Sequence, residues 1–362
     1  MDQGLARDER DEHDPDPREA APAESGPRRR RRWTRRRVLL VAIVGVLLTP
    51  FVAAGVALRL AYVGDVNAQA RTRGHDAIWL GHAWVDGRRG YSDLAALAQH
   101  MLGSGIHDLY VHTGPLAKDG RLDPALHPRA AWAAQALRAA FPGVRVQAWL
   151  GQRLDGRDGL DLDDAATRAR VLESARQVLD LGFGGVHYNF EPVPNGDRGL
   201  LDLLDGTRAL VRARGGVLSM SAHHVEPLPG MSAVDDLVIG HTKWWSPGYL
   251  HQVATRVDQV AMMSYDTALP TRSLYGGYVR RQTDVALAAV PPQTELLMGL
   301  PAFQSHDLGH FSSAETVATA IHGVRLGLGA DRRQRFGVAL YIDFAATDAD
   351  WAAYHADWGG PR

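Results

Sequence analysis

The sequence predicts an α/β fold: a (β/α)8 barrel preceded by one N-terminal transmembrane helix. Two observations support this prediction. Between residues 64 and 362, short runs of β-branched and aromatic residues alternate with Ala/Leu/Arg-rich stretches that have helical spacing. Ahead of them lies one stretch of 21 residues without a charge, residues 38–58. We therefore divide the chain into residues 1–37, a charged tail, residues 38–63, a membrane anchor, and residues 64–362, the barrel domain.

The composition narrows the class of protein before any motif is considered. Apolar residues make up 45% and charged residues 22% of the 362 residues, as in ordinary globular proteins. The 40 basic residues balance the 41 acidic ones, whereas nucleic-acid-binding proteins usually have a clear basic excess, so no nucleic-acid partner is predicted. Because the chain has no cysteine, disulfides, cysteine metal sites and a cysteine nucleophile are excluded.

The first 37 residues are predicted to form a disordered cytoplasmic tail. Residues 1–27 offer almost nothing to bury, and eight arginines follow between Arg28 and Arg37. As a helix, the uncharged stretch behind them would span about 30 Å, the thickness of the hydrocarbon core of a bilayer. Since basic flanks stay in the cytoplasm, the sequence predicts a single-pass protein whose barrel domain lies outside the cytoplasm.

A cleaved export signal is the alternative to an anchor. Residues 34–40 loosely resemble a twin-arginine signal, and Ala68-Gln69-Ala70 resembles a cleavage site. The apolar part of a signal usually spans only about 7–15 residues, which favours the uncleaved anchor. In both interpretations the domain is exported, and in the second it is secreted.

Eight strands are predicted in the barrel domain, separated by helices. Helical spacing is clearest in residues 165–181 and 199–214, and Thr347 with Asp350 three residues later resembles a capping box. A doubly wound open sheet is the alternative fold, but the segment after Leu80 lacks its glycine-rich phosphate turn. The predicted strands are residues 77–84, 107–113, 144–150, 184–191, 216–222, 258–265, 295–302 and 337–344.

In such a barrel, the reactive groups lie at the carboxyl ends of the strands. Strand 4 is the most informative, because alternation along residues 184–191 places His187, Asn189 and Glu191 on one face. Three inward polar groups are costly unless they are paired or used, which indicates a functional site. The other strand ends contribute His82, Trp84, His112, Trp149, Gln152, His223, Tyr265, Asp266, Gln304, Tyr341 and Asp343.

At this point the sequence resembles a family. Residues 184–191, GGVHYNFE, look like the strand-4 signature D-G-x-D-x-D-x-E of glycoside hydrolase family 18, the chitinase and endo-N-acetylglucosaminidase barrels. Residues 257–266 are similar to the strand-6 segment of that family, which carries M-x-Y-D. Residues 297–301 and 337–341 resemble its last two strands, so the resemblance covers most of residues 77–345 in the right order.

The resemblance implies hydrolysis of glycans that contain N-acetylhexosamine, with retention and without a protein nucleophile, because the substrate acetamide attacks the anomeric carbon. It implies that Glu191 is the general acid and base, that Asn189 positions the acetamide, and that Tyr265 donates a hydrogen bond to it beside Asp266. No cofactor and no metal are implied. The expected partners are a cell-wall or surface glycan and, through the anchor, a membrane.

Three aspartates of the family signature are replaced here, by Gly184, His187 and Asn189. The remaining Asn-x-Glu resembles glycoside hydrolase family 85, which uses that pair in the same role, and it favours a working enzyme. A catalytically inactive barrel that binds glycans is the alternative.

Aromatic and histidine side chains at the strand ends are predicted to bind the sugar. Aromatic faces stack on sugar rings, and the segment containing Trp244, Trp245 and Tyr249 is the expected exposed set because Pro and Gly mark it as a loop. About half of the aromatic residues are expected to pack loops instead. The predicted substrate-binding residues are Trp84, His112, Trp149, His187, His223, Trp244 and Tyr341.

Two other classes of hydrolase fit these residues less well. A retaining enzyme with two carboxylates needs an acid at the end of strand 7, whereas Glu295 lies at its start and Asp307 lies beyond it in a loop. A metal-dependent hydrolase would use histidines near the barrel mouth (His82, His112, His187 and His223), but H-E-x-x-H is absent from the sequence. Both classes are disfavoured.

Overall fold

The computed structural model describes residues 35–227, 244–305 and 309–360. The chain divides into two units, with the boundary between Pro50 and Phe51. The predicted disordered tail lies outside the described residues, except for its last three positions, which begin the first helix.

One long helix precedes the barrel in the chain. Helix α1, Arg35–Ala61, contains the whole uncharged stretch of residues 38–58. Its segment Arg37–Ala61 is long and apolar enough to cross a membrane. Many of its apolar side chains, among them Leu39, Val46 and Phe51, are exposed.

Eight parallel strands follow in chain order and close into a barrel, with β1 paired to β8. This confirms the predicted (β/α)8 barrel. The doubly wound alternative is wrong, since its sheet would remain open between the first and last strands. The strands are β1 Asp76–Leu80, β2 Ile106–Pro115, β3 Arg145–Arg153, β4 Gly185–Glu191, β5 Val217–Ala222, β6 Gln259–Met262, β7 Glu295–Pro301 and β8 Phe336–Tyr341.

The helices pack around the outside of the barrel, and hydrogen-bonding side chains begin several of them. Asp164, Ser246 and Thr271 each accept a backbone N–H in the first turn of their helix, and the predicted capping box of Thr347 and Asp350 is present. The helices are α2 Ala83–Asp86, α3 Tyr91–Met101, α4 Ala130–Ala140, α5 Ala165–Asp180, α6 Arg198–Arg212, α7 Pro247–Ala254, α8 Arg272–Ala289, α9 Val317–Leu328 and α10 Asp348–Tyr354.

The first strand is shorter than the predicted residues 77–84. It ends at Leu80, and Ala83–Asp86 forms one helical turn. Asp343, after β8, causes this bend: it accepts the N–H of Gly81 at 2.7 Å and the indole N–H of Trp84 at 2.8 Å. Residue type alone does not reveal these long-range hydrogen bonds, so the sequence predicts a longer strand.

A polar network fills the amino end of the barrel interior. Arg145 on β3 bonds to the buried carboxylates of Asp108 on β2 and Glu295 on β7. Gln259 on β6 donates to both carboxylates, at 2.9 and 2.8 Å. Glu295 therefore lies at the start of its strand, as predicted, and Arg145 pairs with it there. The polar side chains at the opposite, carboxyl end of the strands form a separate cluster, which is the candidate site.

Candidate active site

A cleft of about 520 Å³ opens at the carboxyl ends of β2 to β5. Because parallel strands in a closed barrel all end on one face, side chains far apart in sequence meet there. The residues that line the cleft are His112, Pro115, Trp149, Gly151, Gln152, Arg153, Asn189, Glu191, Pro192 and His223. Five of them, namely Glu191, Asn189, Trp149, His112 and His223, are predicted site residues.

Glu191 is the last residue of β4, and its side chain is accessible from the cleft. Glu191 is exposed by surface area, but the protein atoms around its carboxyl group partly desolvate it, and this desolvation raises the pKa of Glu191. The negative charge of Asp266 raises the pKa further, and a hydrogen bond from Asn189 opposes both effects. A carboxyl group in this setting holds its proton at higher pH than a solvated one, as a general acid requires.

Asn189, two residues before Glu191, faces the same cleft. Its side-chain amide donates to Glu191, since this hydrogen bond lowers the pKa of Glu191, as a donor to a carboxylate does. That orientation leaves Oδ1 buried, and among the described residues it has no hydrogen-bond partner. A buried acceptor without a partner costs about 1–3 kcal/mol, so its presence calls for a donor from outside the chain.

Trp149 on β3 supplies the complementary group. Its indole Nε1–H is buried and likewise has no hydrogen-bond partner within the described chain. The indole nitrogen lies over Gly151, where a Cβ atom would come within 3.2 Å of Nε1 and 2.8 Å of the carbonyl oxygen of Asn189. Only glycine fits at that position, and it brings the unpaired donor close to the Asn189 backbone.

Tyr265 and Tyr341 are not among the residues that line the cleft, and they lie beside it, next to Trp149. Their rings stack with centroids 5.3 Å apart, and the Tyr341 ring also contacts that of Trp149, at 6.2 Å. Burial and the charge of Glu191 raise the pKa of both phenols, that of Tyr341 to about 12. Both hydroxyls therefore stay protonated and can donate a hydrogen bond near Glu191.

Asp266 follows Tyr265 in a left-handed backbone conformation, with φ of 59°. Two buried residues support it: Glu315 accepts its N–H at 2.7 Å, and the His310 imidazole lies 3.0 Å from its carboxylate. Its carboxylate is exposed on the catalytic face and acts on Glu191 through its charge.

His187 requires a correction, because it was predicted to bind substrate. It is fully buried in the barrel interior, where it stacks on Tyr110 with centroids 3.8 Å apart. Its Nε2 accepts from the indole of Trp79 at 3.0 Å, so Nδ1 carries the proton and faces Ser219 Oγ at 2.7 Å. Burial lowers the pKa of His187 to about 3, and the neutral ring is a fixed part of the core.

Two predicted tryptophans also lie outside the cleft. Trp84 is buried on α2 and bonded to Asp343, so it presents no open face to a sugar. Trp244 is half-buried and donates to the hydroxyl of Tyr278 at 3.2 Å. The expected exposure of its neighbours Trp245 and Tyr249 is wrong, since both are buried beneath the loop.

The two cleft histidines are neutral. Burial lowers the pKa of His112 and of His223 to about 4 in each case. His223 Nε2 accepts the backbone N–H of Val193 at 3.1 Å, and the ring also hydrogen-bonds to the backbone of Phe190, so both of its nitrogens are engaged. The neutral ring of His112 can offer a hydrogen bond to a ligand without adding charge.

Sequence reasoning missed two features of this face. Arg153 lines the cleft opposite Glu191 in the β3–β4 register. Side chains alternate along a strand, so residues 149, 151 and 153 share one face of β3. This pattern could have identified Arg153 from the sequence. Glu315 supports the Asp266 loop from 49 residues away, and no local pattern marks it.

Among the described residues, one group has the composition of a metal site: Asp266, His310 and Glu315. The Glu315 carboxylate already accepts hydrogen bonds from Asp266 and Thr267, so loop support accounts for the group. The four histidines considered as metal ligands do not form one ligand set within the described chain: His82 and His112 lie together, with ring centroids 5.2 Å apart, but His187 is buried in the barrel interior and His223 is bonded to Val193.

No protein-family model and no curated protein matches the chain. Solved structures do share its fold. The spore cortex-lytic enzyme SleL of Bacillus megaterium QM B1551 has a TM-score of 0.56 at 12% identity, over 80% of this chain and 75% of that one. The chitinase of Chromobacterium violaceum ATCC 12472 has a TM-score of 0.51 at 16% identity, over 77% and 97%.

A class V chitinase from Pseudomonas fluorescens Pf-5 is similar to the same degree, with a TM-score of 0.52 at 14% identity over 78% of this chain and 98% of that one. At such identities the likeness shows a common fold. The function has to be argued from the cleft itself.

Proposed function

We propose that this protein is a glycoside hydrolase that cleaves glycans containing N-acetylhexosamine by a substrate-assisted, retaining mechanism. One observation carries the proposal. Beside a carboxyl group of raised pKa, the cleft lining holds a buried acceptor, Asn189 Oδ1, and a buried donor, Trp149 Nε1, neither with a partner among the described residues. An acetamide offers an N–H donor and a carbonyl acceptor, the two groups that these atoms lack.

In the first step, the Glu191 carboxyl proton passes to the glycosidic oxygen as that bond breaks. The acetamide oxygen bonds to the anomeric carbon, and the positive charge spreads over the acetamide. Asn189 Oδ1 accepts the acetamide N–H and so stabilises this charge, while the indole N–H of Trp149, together with the hydroxyl of Tyr265 or Tyr341, orients the acetamide oxygen. In the second step, the Glu191 carboxylate removes a proton from water, whose oxygen bonds to the anomeric carbon and restores the acetamide.

The proposed setting is the outer face of a membrane. Helix α1 would anchor the chain, with the arginine-rich N-terminus in the cytoplasm and the barrel domain outside, facing a cell-wall or surface glycan. The cortex-lytic enzyme and the chitinases that share the fold are consistent with such a substrate.

The test compares the full chain in detergent with Glu191→Gln on chitin oligosaccharides, peptidoglycan fragments and N-glycan cores, following both product release and binding. We expect the variant to lose about 10²–10⁴-fold in kcat, since Gln cannot transfer the proton. Glu173→Gln, on the exposed face of α5, is the matched control and should keep full activity. Equal binding without cleavage in both proteins would instead identify an inactive glycan-binding barrel. If neither protein binds or cleaves any of these glycans, the resemblance to the family extends only to the fold.

A further inference from the structure

We infer that the catalytic face of the barrel lies against the outer surface of the membrane, and that the substrate is an N-acetylhexosamine glycan attached to a membrane lipid. The choice of glycan rests on the proposed function, whereas the orientation does not. The argument uses only the second unit of the chain, from Phe51 onward.

The end of α1 packs along α8 in a parallel direction. Gly55 faces Leu274, Leu58 lies against Gly277, and Arg280 donates to the carbonyl oxygen of Ala61 at 2.7 Å. In all three pairs the partners are 219 residues apart. A constant offset means that the two helices run in the same direction and keep their register through two turns.

Close approach of the two helices depends on glycine. A Cβ atom at Gly277 would overlap the backbone carbonyl of Leu58, and one at Gly276 would overlap the ring of Tyr62. The half-buried residues of this stretch, Gly55, Leu58, Ala61 and Tyr62, form the single face that contacts α8. The direction of this part of α1 is therefore tied to that of the barrel.

That direction places the apolar residues at the catalytic end. Helix α8 follows β6, so its first residue, Arg272, lies at the carboxyl end of the strands. With the same offset, Ala53 is level with Arg272, and Phe51 and Val52 lie at or beyond the rim of the catalytic face.

These rim residues need an apolar cover. Phe51 is 76% exposed and Val52 64%. Ahead of the contact with α8, residues 35–52 of α1 would be about 27 Å long as a helix, close to the roughly 30 Å of a bilayer core. A lipid bilayer is the occupant that fits an apolar helix of this length, and it must meet the barrel beside its catalytic rim.

Exposed apolar side chains elsewhere agree with this placement. Beyond residue 63, the described chain has four large hydrophobic side chains that are exposed. Tyr91 at the start of α3, Leu126 before α4 and Phe344 after β8 lie on the catalytic face, and Leu102 lies on the opposite one. Arg272, exposed at the same rim, is suited to the headgroup region of anionic lipids.

A cleft that opens beside the bilayer meets glycans concentrated there. A sugar chain linked to a membrane lipid moves in two dimensions beneath the catalytic face, which raises its effective concentration at Glu191. A glycan in free solution has no such advantage.

The orientation can be measured without any activity, because the chain has no native cysteine. Ser313→Cys and Gln334→Cys lie at exposed positions beyond opposite ends of α9, Ser313 on the catalytic face. Each full-length variant, labelled with a fluorophore, is placed in vesicles whose lipids carry a nitroxide on the headgroup. We expect at least about twofold stronger quenching at residue 313, since the 12 residues of α9 separate the two ends by roughly 18 Å. Equal quenching, or stronger quenching at residue 334, would overturn the orientation.

A packing variant tests whether the α1–α8 contact sets this orientation. Gly277→Leu should abolish the difference in quenching, while Gly248→Leu, at a site with open space around it, should preserve it. Circular dichroism of both variants checks that the barrel remains folded. An unchanged difference in folded Gly277→Leu would contradict the role of this contact.

The substrate class needs a separate comparison. One N-acetylhexosamine oligosaccharide is supplied either free or coupled to a phospholipid in the same vesicles, with wild type and Glu191→Gln. We expect the lipid-linked form to be cleaved at least about tenfold faster by wild type, and neither form by the variant. Equal rates would overturn the substrate class. No cleavage of either form, with the quenching difference intact, would overturn the proposed function and leave the orientation standing.

Discussion

At the scale of single residues, the cleft is defined by unpaired hydrogen-bonding atoms beside one carboxyl group. Asn189 gives its amide hydrogens to Glu191 and keeps a buried oxygen without a partner among the described residues. An aspartate there would place a second negative charge beside Glu191, whereas the amide orients the acid without charge. This difference makes the Asn-x-Glu pair chemically sensible despite the replaced aspartates.

Asn189→Ala tests the acetamide role. Removal of the acceptor should lower kcat on N-acetylated substrates by about 10²-fold, in line with the loss of one preorganised hydrogen bond in a transition state. Steady-state kinetics with an N-acetylated oligosaccharide and binding of its de-N-acetylated counterpart, which the substrate-assisted mechanism cannot cleave, provide the measurement. The two proteins should bind the de-N-acetylated sugar equally, and a loss of that binding in the variant would assign Asn189 a structural role.

The pH dependence of activity tests the charge of Asp266. Glu191 must be protonated to act as the acid, so activity falls as the pH rises through its pKa. Asp266 raises that pKa, and Asp266→Asn should therefore move the alkaline limb of kcat/KM to lower pH. Asn tolerates the left-handed conformation at this position, which makes it the matched substitution. A limb that stays in place would show that the two groups are not coupled.

At the scale of elements, the barrel strands are tied together at their amino ends by buried charges. Arg145 on β3 neutralises Asp108 on β2 and Glu295 on β7, both of them buried. The pKa of Asp108 is lowered overall, because the contacts with His107, Arg145 and Gln259 outweigh its burial. This end of the barrel holds the strands in register while the carboxyl end carries the cleft.

Arg145→Met should destabilise the fold by about 3–5 kcal/mol, because it removes the cation that hydrogen-bonds to both buried carboxylates. Arg214→Met is the control, since its partner Asp180 is exposed and such pairs contribute only about 0–1 kcal/mol. Urea unfolding followed by circular dichroism compares the two. Similar midpoints would mean that the buried pair contributes no more than the exposed one.

The buried histidines predict acid sensitivity of the fold. The pKa of His187 is about 3 and that of His223 about 4, below the unfolded value near 6.5. The unfolded chain binds protons first, so stability is complete above about pH 6.5 and falls at lower pH, by about 2 kcal/mol per histidine at pH 5. His223→Gln, which keeps an acceptor for Val193, should lose about 2 kcal/mol less than wild type between pH 7.5 and 5. Parallel stability curves would contradict this assignment.

At the scale of the whole molecule, the chain just before the first strand is part of the barrel domain. Tyr62 and Leu58 cover Gly276 and Gly277 of α8, and Ala70, in the segment that resembles a cleavage site, is buried. A boundary at residue 64 would remove part of this packing.

A chain that begins at Gly64 should therefore unfold at lower urea concentration than the full chain in the same detergent. We expect the free energy of unfolding to fall by about 2 kcal/mol, which is the order of magnitude for the partial burial of two apolar side chains. A chain that begins at residue 35 keeps these contacts and should match the full chain. Equal stability of all three would show that the α1–α8 contact contributes nothing to the fold.

Local patterns were enough to locate the barrel elements. Alternation and β-branched runs depend only on neighbouring residues, and they placed all eight strands in order, with Glu191 at the carboxyl end of the fourth. The same reasoning treated Trp84 and Trp149 alike, because both are aromatic residues near strand ends. Only Trp149 reaches the cleft, since Asp343, more than 250 residues away, holds Trp84 on a helical turn.

The sequence by itself determined the barrel, the apolar helix before it, and the inward face of His187, Asn189 and Glu191, since these follow from periodicity and length. The tertiary structure decided how deep each of those three side chains lies: His187 is fully buried and bonded to Ser219 in the barrel interior, while Asn189 and Glu191 reach the cleft. It also decided that Glu315 supports Asp266 and that the end of α1, from Gly55 to Ala61, runs parallel to α8. Depth and long-range pairing depend on how the barrel closes, and chain closure brings together residues that no local pattern relates.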